Sequence, residues 1–396
     1  MRAVVFGPGQ IGCGFAGQLL HDSGYEIVFV ARNPVIVNHL NRLGHYRVRL
    51  TGRGGVRDMT VDGIRAILSS EPRKVAEEVA RADVVTTSVG CNNLLAIAPL
   101  VAEGLSRRVS PVNVFAFENL GNADSCLKNF VAGSLGDDPA AARHGFSGAL
   151  VSRIVARRTG DPAQDEPLVF VGDTPSTFIV DGRTLRDPIP QITGMKVTDN
   201  YTAWLQRKLF TFSAGHATAA YLGYLKGYHY VHAAVRDPEI RQAVMDAMLE
   251  GQKGLAACYG PEIAGNENDL TEIMSRFENA ALNDSLERVG RDPLRKLGHE
   301  DRLVGPALLA RQAGIRPEKL ALAVAAAMFF CNRADPSANQ LLGQIRAVGP
   351  AQALSDVSGL DPQRTIAQIV ISAWCRLSEG WQQGNPLLNL EHFFWA

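Results

Sequence analysis

Paired cysteines, a long apolar run and a surplus of either charge are all missing from this sequence. The six cysteines, at positions 13, 91, 126, 258, 331 and 375, are scattered and form no C-x-x-C pair. Such a pattern argues for reduced, mostly structural thiols and against a disulfide scaffold. The longest apolar run, near "LALAVAAAMFFC" (320–331), is shorter than a bilayer demands, so no membrane segment is predicted. The opening "MRAVVFGPG" enters strand and turn signals directly, without the zones of an export signal, and the expected location is the cytoplasm. Forty basic residues offset forty acidic ones and no local basic patch stands out, which excludes nucleic acid as the expected partner and favours a small molecule. The nine histidines include the pairs His39/His45 and His229/His232, yet no H-E-x-x-H or Cys/His ligand set accompanies them. The expected chemistry therefore uses no bound metal.

What is present divides in two. A chain of 396 residues suits two domains of roughly 200 residues each. Up to about residue 190, short apolar runs alternate with helical stretches: "RAVVF" (2–6), "EIVFV" (26–30), "VVTTS" (84–88), "VNVFAF" (112–117) and "LVFVG" (168–172). This pattern predicts a parallel α/β sheet. The segment "DPIPQITGMKVTDN" (187–200) interrupts it, and beyond it strand signals nearly vanish. Helices are expected at 199–226, 238–258, 267–282, 317–331, 338–347 and 362–383, several opening at Asp, Asn or Pro. The expected fold is an α/β Rossmann-type domain over 1–190 followed by an all-α domain over 191–396. A hinge near residue 190 would leave a cleft of the kind in which ligands usually sit.

"VVFGPGQIGCGFAGQLL" (4–20) places Gly7, Gly9 and Gly12 in G-x-G-x-x-G spacing between an apolar strand and an apolar helix. Gly7 permits the tight turn, Gly9 lets the backbone approach a pyrophosphate, and Gly12 allows close helix–strand packing. Gln10 and Ile11, between them, belong to the same predicted dinucleotide site. The second strand ends "VFVARNP" (28–34), where an acidic residue would accept bonds from the ribose hydroxyls of NAD. Ala31 and Arg32 stand there instead. A guanidinium suits a 2′-phosphate, so NADP is favoured over NAD; an ordinary exposed arginine after a strand is the competing reading.

"KLFTFSAGH" (208–216) sets Lys208, Ser213 and His216 on one expected helix. At regular winding Ser213 and His216 lie roughly 140° and 80° around the helix from Lys208, so the three can share a broad face. A desolvated lysine beside a positively charged nicotinamide can take a hydroxyl proton near neutral pH. The spacing permits this chemistry without singling it out from a solvated lysine and a structural histidine.

The segments "DNYTAWLQRKLFTFSAGHATAAYLGYLKG" (199–227) and "RFENAALNDSLERVGRDPLRKLGHEDRLVGP" (276–306), with "GPGQIGCGF", "FENL" (117–120) and "VSGLD" (357–361), span nearly the whole chain. Together they resemble the polyol-specific long-chain dehydrogenases/reductases, mannitol-1-phosphate 5-dehydrogenases among them. The resemblance implies a metal-independent NAD(P) enzyme that interconverts a polyol, phosphorylated or a cyclitol, and its ketone. The family's K-x-x-x-x-N-x-x-H pattern implies Lys208 as general base and His216 as the residue orienting the substrate hydroxyl. It also implies Asn119 as an oxyanion donor, and Arg288 and Lys296 as substrate-contacting cations in the cluster Arg288, Arg291, Arg295 and Lys296.

Three positions depart from the family. Ser213 replaces an asparagine, a two-donor amide exchanged for a shorter hydroxyl. Ser152, in "VSRIV" (151–155), stands where a substrate-side aspartate is usual. The cofactor carboxylate gives way to Ala31 and Arg32. The expectation is retained chemistry with altered specificity. A dinucleotide-binding sensor that has lost catalysis is the alternative these losses permit. A short-chain dehydrogenase is excluded around "YLGYLKGYHY" (221–230), because Leu222 rather than tyrosine precedes Lys226 by four. A serine hydrolase lacks its G-x-S-x-G elbow.

Overall fold

The structure, a computed structural model, describes residues 1–118, 121–164 and 166–382. It divides into two compact units, Met1–Tyr201 and Thr202–Ala396.

Among the described residues the first unit holds twelve strands: β1 (Arg2–Phe6), β2 (Glu26–Ala31), β3 (Tyr46–Gly52), β4 (Gly55–Val61), β5 (Ile64–Leu68), β6 (Val84–Thr87), β7 (Asn113–Ala116), β8 (Gly145–Val151), β9 (Val155–Thr159), β10 (Val169–Asp173), β11 (Phe178–Asp181) and β12 (Met195–Thr198). Eight form one sheet in the order β12-β11-β8-β7-β6-β1-β2-β5, and β4-β3-β10-β9 form another. From β5 through β8 all neighbours in the large sheet are parallel, while β11 runs antiparallel to β8. Counted along the chain, those six parallel strands lie in the order 3-2-1-4-5-6, the doubly wound arrangement that holds dinucleotides beyond the carboxyl ends of its central strands.

β1 shows why these segments read as unbroken apolar runs. Val4 and Phe6 enter one core with Val75, Val79, Leu94, Val101 and Leu127 from the helices Pro72–Arg81, Leu94–Ser106 and Ala123–Leu135. Ala3 and Val5 enter another with Phe15, Leu19, Leu40, Tyr46 and Phe170. Both faces of the sheet are covered, so neither can carry polar residues.

Two expectations need correction. "LVFVG" is a strand, but β10 belongs to the small sheet, parallel to β3 and antiparallel to β9, and not to the parallel sheet. The break at 187–200 also contains β12, paired in parallel with β11, so strand structure continues beyond residue 190.

The second unit is helical among its described residues, apart from one isolated bridge between Tyr230 and Ser285. Glu318–Ala327 is its buried centre, with Leu320, Ala321, Val324 and Ala327 at most 1 % exposed. Around it pack Ala214–Leu225, Pro238–Tyr259 and Thr365–Gln382. Among the described residues no helix is long and apolar enough to cross a membrane.

Candidate active site

In the first unit, β1 runs into Gly7, whose φ of +92° a side chain rarely adopts. A Cβ on Gly12 would stand 2.0 Å from the carbonyl oxygen of Gly7 and 2.6 Å from Ser88 Oγ, so only glycine fits. A Cβ on Gly9 would meet nothing within 4 Å. The turn is thus tight at Gly7 and Gly12 and open at Gly9, the form a backbone needs to approach a pyrophosphate. A π-helical stretch, Gly12–Gly17, follows instead of the regular helix the periodicity suggests. Ile11 is half-buried against the core. The Gln10 side-chain amide donates to the Ala156 carbonyl at 2.8 Å and so ties the turn to β9.

Arg32 follows the last residue of β2 and is exposed; among the described residues it has neither hydrogen bond nor ion pair. After β6, the Glu118 carboxylate accepts the N–H groups of Val89 and Gly90 at 2.8 and 2.9 Å. Burial raises its pKa above the ordinary value, opposed by those bonds. No spacing or composition signal announces this clamp. Asn119, the next residue, lies outside the described residues. Ser152 is committed to the backbone: its hydroxyl donates to the Thr177 carbonyl and accepts the Thr177 N–H at 3.1 Å.

In the second unit, the helix Tyr201–Lys208 passes through a π-turn, Leu209–Ser213, into Ala214–Leu225. The Ala214 N–H reaches the carbonyl of Leu209, five residues back. This corrects the regular winding assumed from the sequence, and it improves the geometry. A π-turn absorbs one extra residue, so His216 stands about where a seventh residue would, roughly 20° from Lys208. Ser213 moves toward the same face and is buried. The glycine inside this helix is explained by packing, since a Cβ on Gly215 would meet Met248 Sδ at 2.5 Å.

Lys208 is half-buried, and its amine makes no hydrogen bond or ion pair among the described residues. Burial first, then the charges of Arg302 and Arg276, push its pKa down to about 8. An unpartnered, partly neutral amine is what proton transfer near neutral pH requires. His216 is held at one edge and on one face: Nε2 lies 3.1 Å from Asp284 Oδ2, and Phe277 stacks on the ring at 4.9 Å with a 10° tilt.

Asp284 also joins His216 to Arg288, whose Nε and Nη2 donate to its two oxygens at 2.7 Å each. Burial alone would raise the carboxyl pKa, but Arg288 and His216 hold it well below the usual range. Lys296 is 4 % exposed and donates to the Arg291 carbonyl. Burial, then Arg302 and Arg295, lower its pKa well below that of a free lysine. The four-cation cluster does not face one way: Arg291 is exposed, and Arg295 pairs with Asp292 and Asp301.

Within the second unit Asp284 joins His216 to Arg288, Ser213 ends the π-turn between Lys208 and His216, and the charge of Arg302 acts on Lys208, His216 and Lys296 alike. Arg302 itself is buried and bonded to Asp301 at 2.6 Å. Arg302 and Asp284 were not legible in the sequence; both lie within 276–306, but neither has a partner visible before the chain folds. Gly7, Gly9, Gln10, Ile11, Gly12, Arg32 and Ser152 belong to the first unit.

The sequence profile of the mannitol dehydrogenase Rossmann domain matches residues 1–194, and that of the mannitol dehydrogenase C-terminal domain matches residues 200–373. Among solved structures, the Pseudomonas fluorescens mannitol 2-dehydrogenase in ternary complex with NAD and D-mannitol is similar with a TM-score of 0.77. The two are 17% identical, over 100% of this chain and 94% of that one. A D-sorbitol dehydrogenase in substrate-free form has a TM-score of 0.73 at 16% identity, over 97% of this chain and 94% of its own. At these identities the structural likeness establishes the fold.

Proposed function

The chain belongs to the mannitol dehydrogenase family, and from that membership we propose that it interconverts a phosphorylated polyol and its ketone with NADP, using Lys208 as acid and base. The observation that carries this reading is the Lys208 amine, half-buried, without a partner among the described residues, and with its pKa pushed down to about 8. A dinucleotide fits the turn at Gly7, Gly9 and Gly12, where Gly9 faces open space. When bound, its nicotinamide takes or returns the hydride.

In oxidation, Lys208 removes the hydroxyl proton; in reduction it returns one. Ser213 donates to the reacting oxygen as charge develops, alongside Asn119. Arg288 spends Nε and Nη2 on Asp284, leaving Nη1 for substrate. The positive charges of Arg276 and Arg302 that act on Lys208, together with Arg288, support a phosphate on the substrate. The Pseudomonas fluorescens enzyme was solved with NAD. In this chain Arg32, exposed after β2 and unpaired among the described residues, favours the 2′-phosphate of NADP.

The test is the purified full chain with NADPH or NADH and a panel of D-fructose 6-phosphate, free D-fructose and cyclitol ketones. Loss of the reduced-nicotinamide absorbance, fastest with NADPH and the phosphorylated ketone, is expected. Dinucleotide binding without oxidation by any ketone would instead identify a sensor of the same fold.

A further inference from the structure

We propose that Asp284 is a positioning residue that fixes the tautomer of His216, so that His216 meets substrate as a hydrogen-bond acceptor and holds a hydroxyl adjacent to the reacting carbon. The inference about substrate rests on the alcohol–ketone reading above. It also revises the expectation that His216 orients the reacting hydroxyl itself.

Asp284 is 4 % exposed and lies 68 residues from His216 along the chain. Its backbone is pinned: the Val231 N–H donates to the Asp284 carbonyl, and the Leu286 N–H to His229, both at 2.9 Å. Its two oxygens take the Arg288 guanidinium in a fork at 2.7 Å each. A carboxylate so engaged is ionised and can only accept. The imidazole nitrogen facing it, Nε2 at 3.1 Å, must therefore carry hydrogen. A flip of the ring would carry Nε2 away from Asp284 and forfeit that bond.

Two states remain for that ring: neutral, with a lone pair on Nδ1, or doubly protonated. The charged groups acting on it are Asp284, Arg288 and Arg302. Burial disfavours the cation, and so do the two arginines; Asp284 favours it, but Arg288 already offsets that carboxylate. The neutral ring results, and its Nδ1 has no hydrogen bond among the described residues.

The consequence for substrate follows from counting hydrogens. A carbinol hydroxyl has one, and in oxidation Lys208 takes it. Its oxygen can then only accept, and a lone pair on Nδ1 offers it nothing. That lone pair suits a second hydroxyl, one carbon away, which donates to Nδ1 and turns the carbinol toward Lys208. The preferred substrate is accordingly an α-hydroxyketone or a vicinal diol, not an isolated ketone or alcohol.

The first test needs no turnover. The full chain labelled with nitrogen-15 in histidine is compared at pH 8 with His216→Gln, to assign the ring by difference, and with Asp284→Asn. Wild type should show a neutral ring protonated at Nε2, and Asp284→Asn should lose that preference. A ring protonated at Nδ1, or a doubly protonated ring at pH 8, would overturn the proposal. Should Asp284→Asn fail to fold, the wild-type spectrum still decides the tautomer, and Asp284→Glu, which keeps an acceptor, should retain it.

The second test compares D-fructose 6-phosphate with its 1-deoxy and 3-deoxy analogues. Removing the hydroxyl that Nδ1 holds should lower kcat/KM by about tenfold in wild type and far less in His216→Ala. Equal losses in both proteins would refute the substrate half of the inference. Absence of any turnover would count against the dehydrogenase reading while leaving the tautomer result standing.

Discussion

Gly12 lies so close to Gly7 that a methyl group on it would stand 2.0 Å from the Gly7 carbonyl oxygen. No side-chain rotation relieves a contact between a Cβ and a backbone atom. Gly12→Ala should therefore destabilise the first unit by about 1–3 kcal/mol or more, the ordinary range for overpacking. Thermal unfolding should register a drop of about 2–4 °C for each kcal/mol. Gly9→Ala meets open space and should fold normally, yet bind dinucleotide more weakly in a titration of the full chain. If both variants fold normally and bind dinucleotide alike, the turn does not have the role described for it.

Lys208→Ala should lower turnover by about a hundredfold to ten-thousandfold, the usual contribution of general acid–base catalysis, with dinucleotide binding nearly unchanged. Steady-state rates alongside a binding titration separate the two effects. Retained turnover would remove Lys208 from the mechanism.

The pH dependence should have opposite signs in the two directions. Burial and neighbouring arginines hold the Lys208 pKa at about 8, so the neutral amine predominates above that pH and the ammonium below it. Oxidation of the polyol needs the neutral amine and should rise through pH 8. Reduction of the ketone needs the ammonium and should fall through the same pH. Rate profiles with the same inflection direction for both reactions would contradict the assignment.

Arg32→Ala should weaken NADPH binding by about tenfold to a hundredfold and leave NADH little affected, since a hydrogen bond to a charged group contributes about 1.5–3 kcal/mol. Wild type that prefers NADH would already count against the proposed cofactor.

Glu118→Gln replaces one acceptor oxygen with a donor facing a backbone N–H of Val89 or Gly90. Leaving such a pair unmatched costs about 1–3 kcal/mol. Because Ser88, at the start of this loop, donates to the Gly7 carbonyl at 2.9 Å, the disturbance should reach the glycine turn. Both the melting temperature and dinucleotide affinity should fall.

Much of this arrangement was legible before folding. "RAVVF" became β1 with the same bounds, and Gly7 and Gly12 each meet a local steric demand, a positive φ at one and a close backbone contact at the other. β3 was passed over because Arg47 and Arg49 alternate with buried Tyr46, Val48 and Leu50, a half-exposed strand unlike the unbroken runs that drew notice. β10 was seen but assigned to the wrong sheet, since an apolar run carries no information about its partner. Lys208 and His216 are candidates through the family pattern, since their spacing alone does not single them out. Asp284 was not, because its significance arises only when the chain brings it to His216 from 68 residues away.

The π-turn at Leu209–Ser213 has a bearing on how this helix tolerates changes in length. A surplus residue is taken up within a single loop of backbone, so it does not rotate everything downstream. A chain one residue shorter between Lys208 and His216 could wind regularly and still show both side chains to the same side. Room for the longer version comes from across the packing interface, where a Cβ on Gly251 would stand 2.1 Å from the Phe210 carbonyl. The hydrogen atom at position 251 is thus the recess into which an inserted residue can be folded away, and that position and the helix length should vary together.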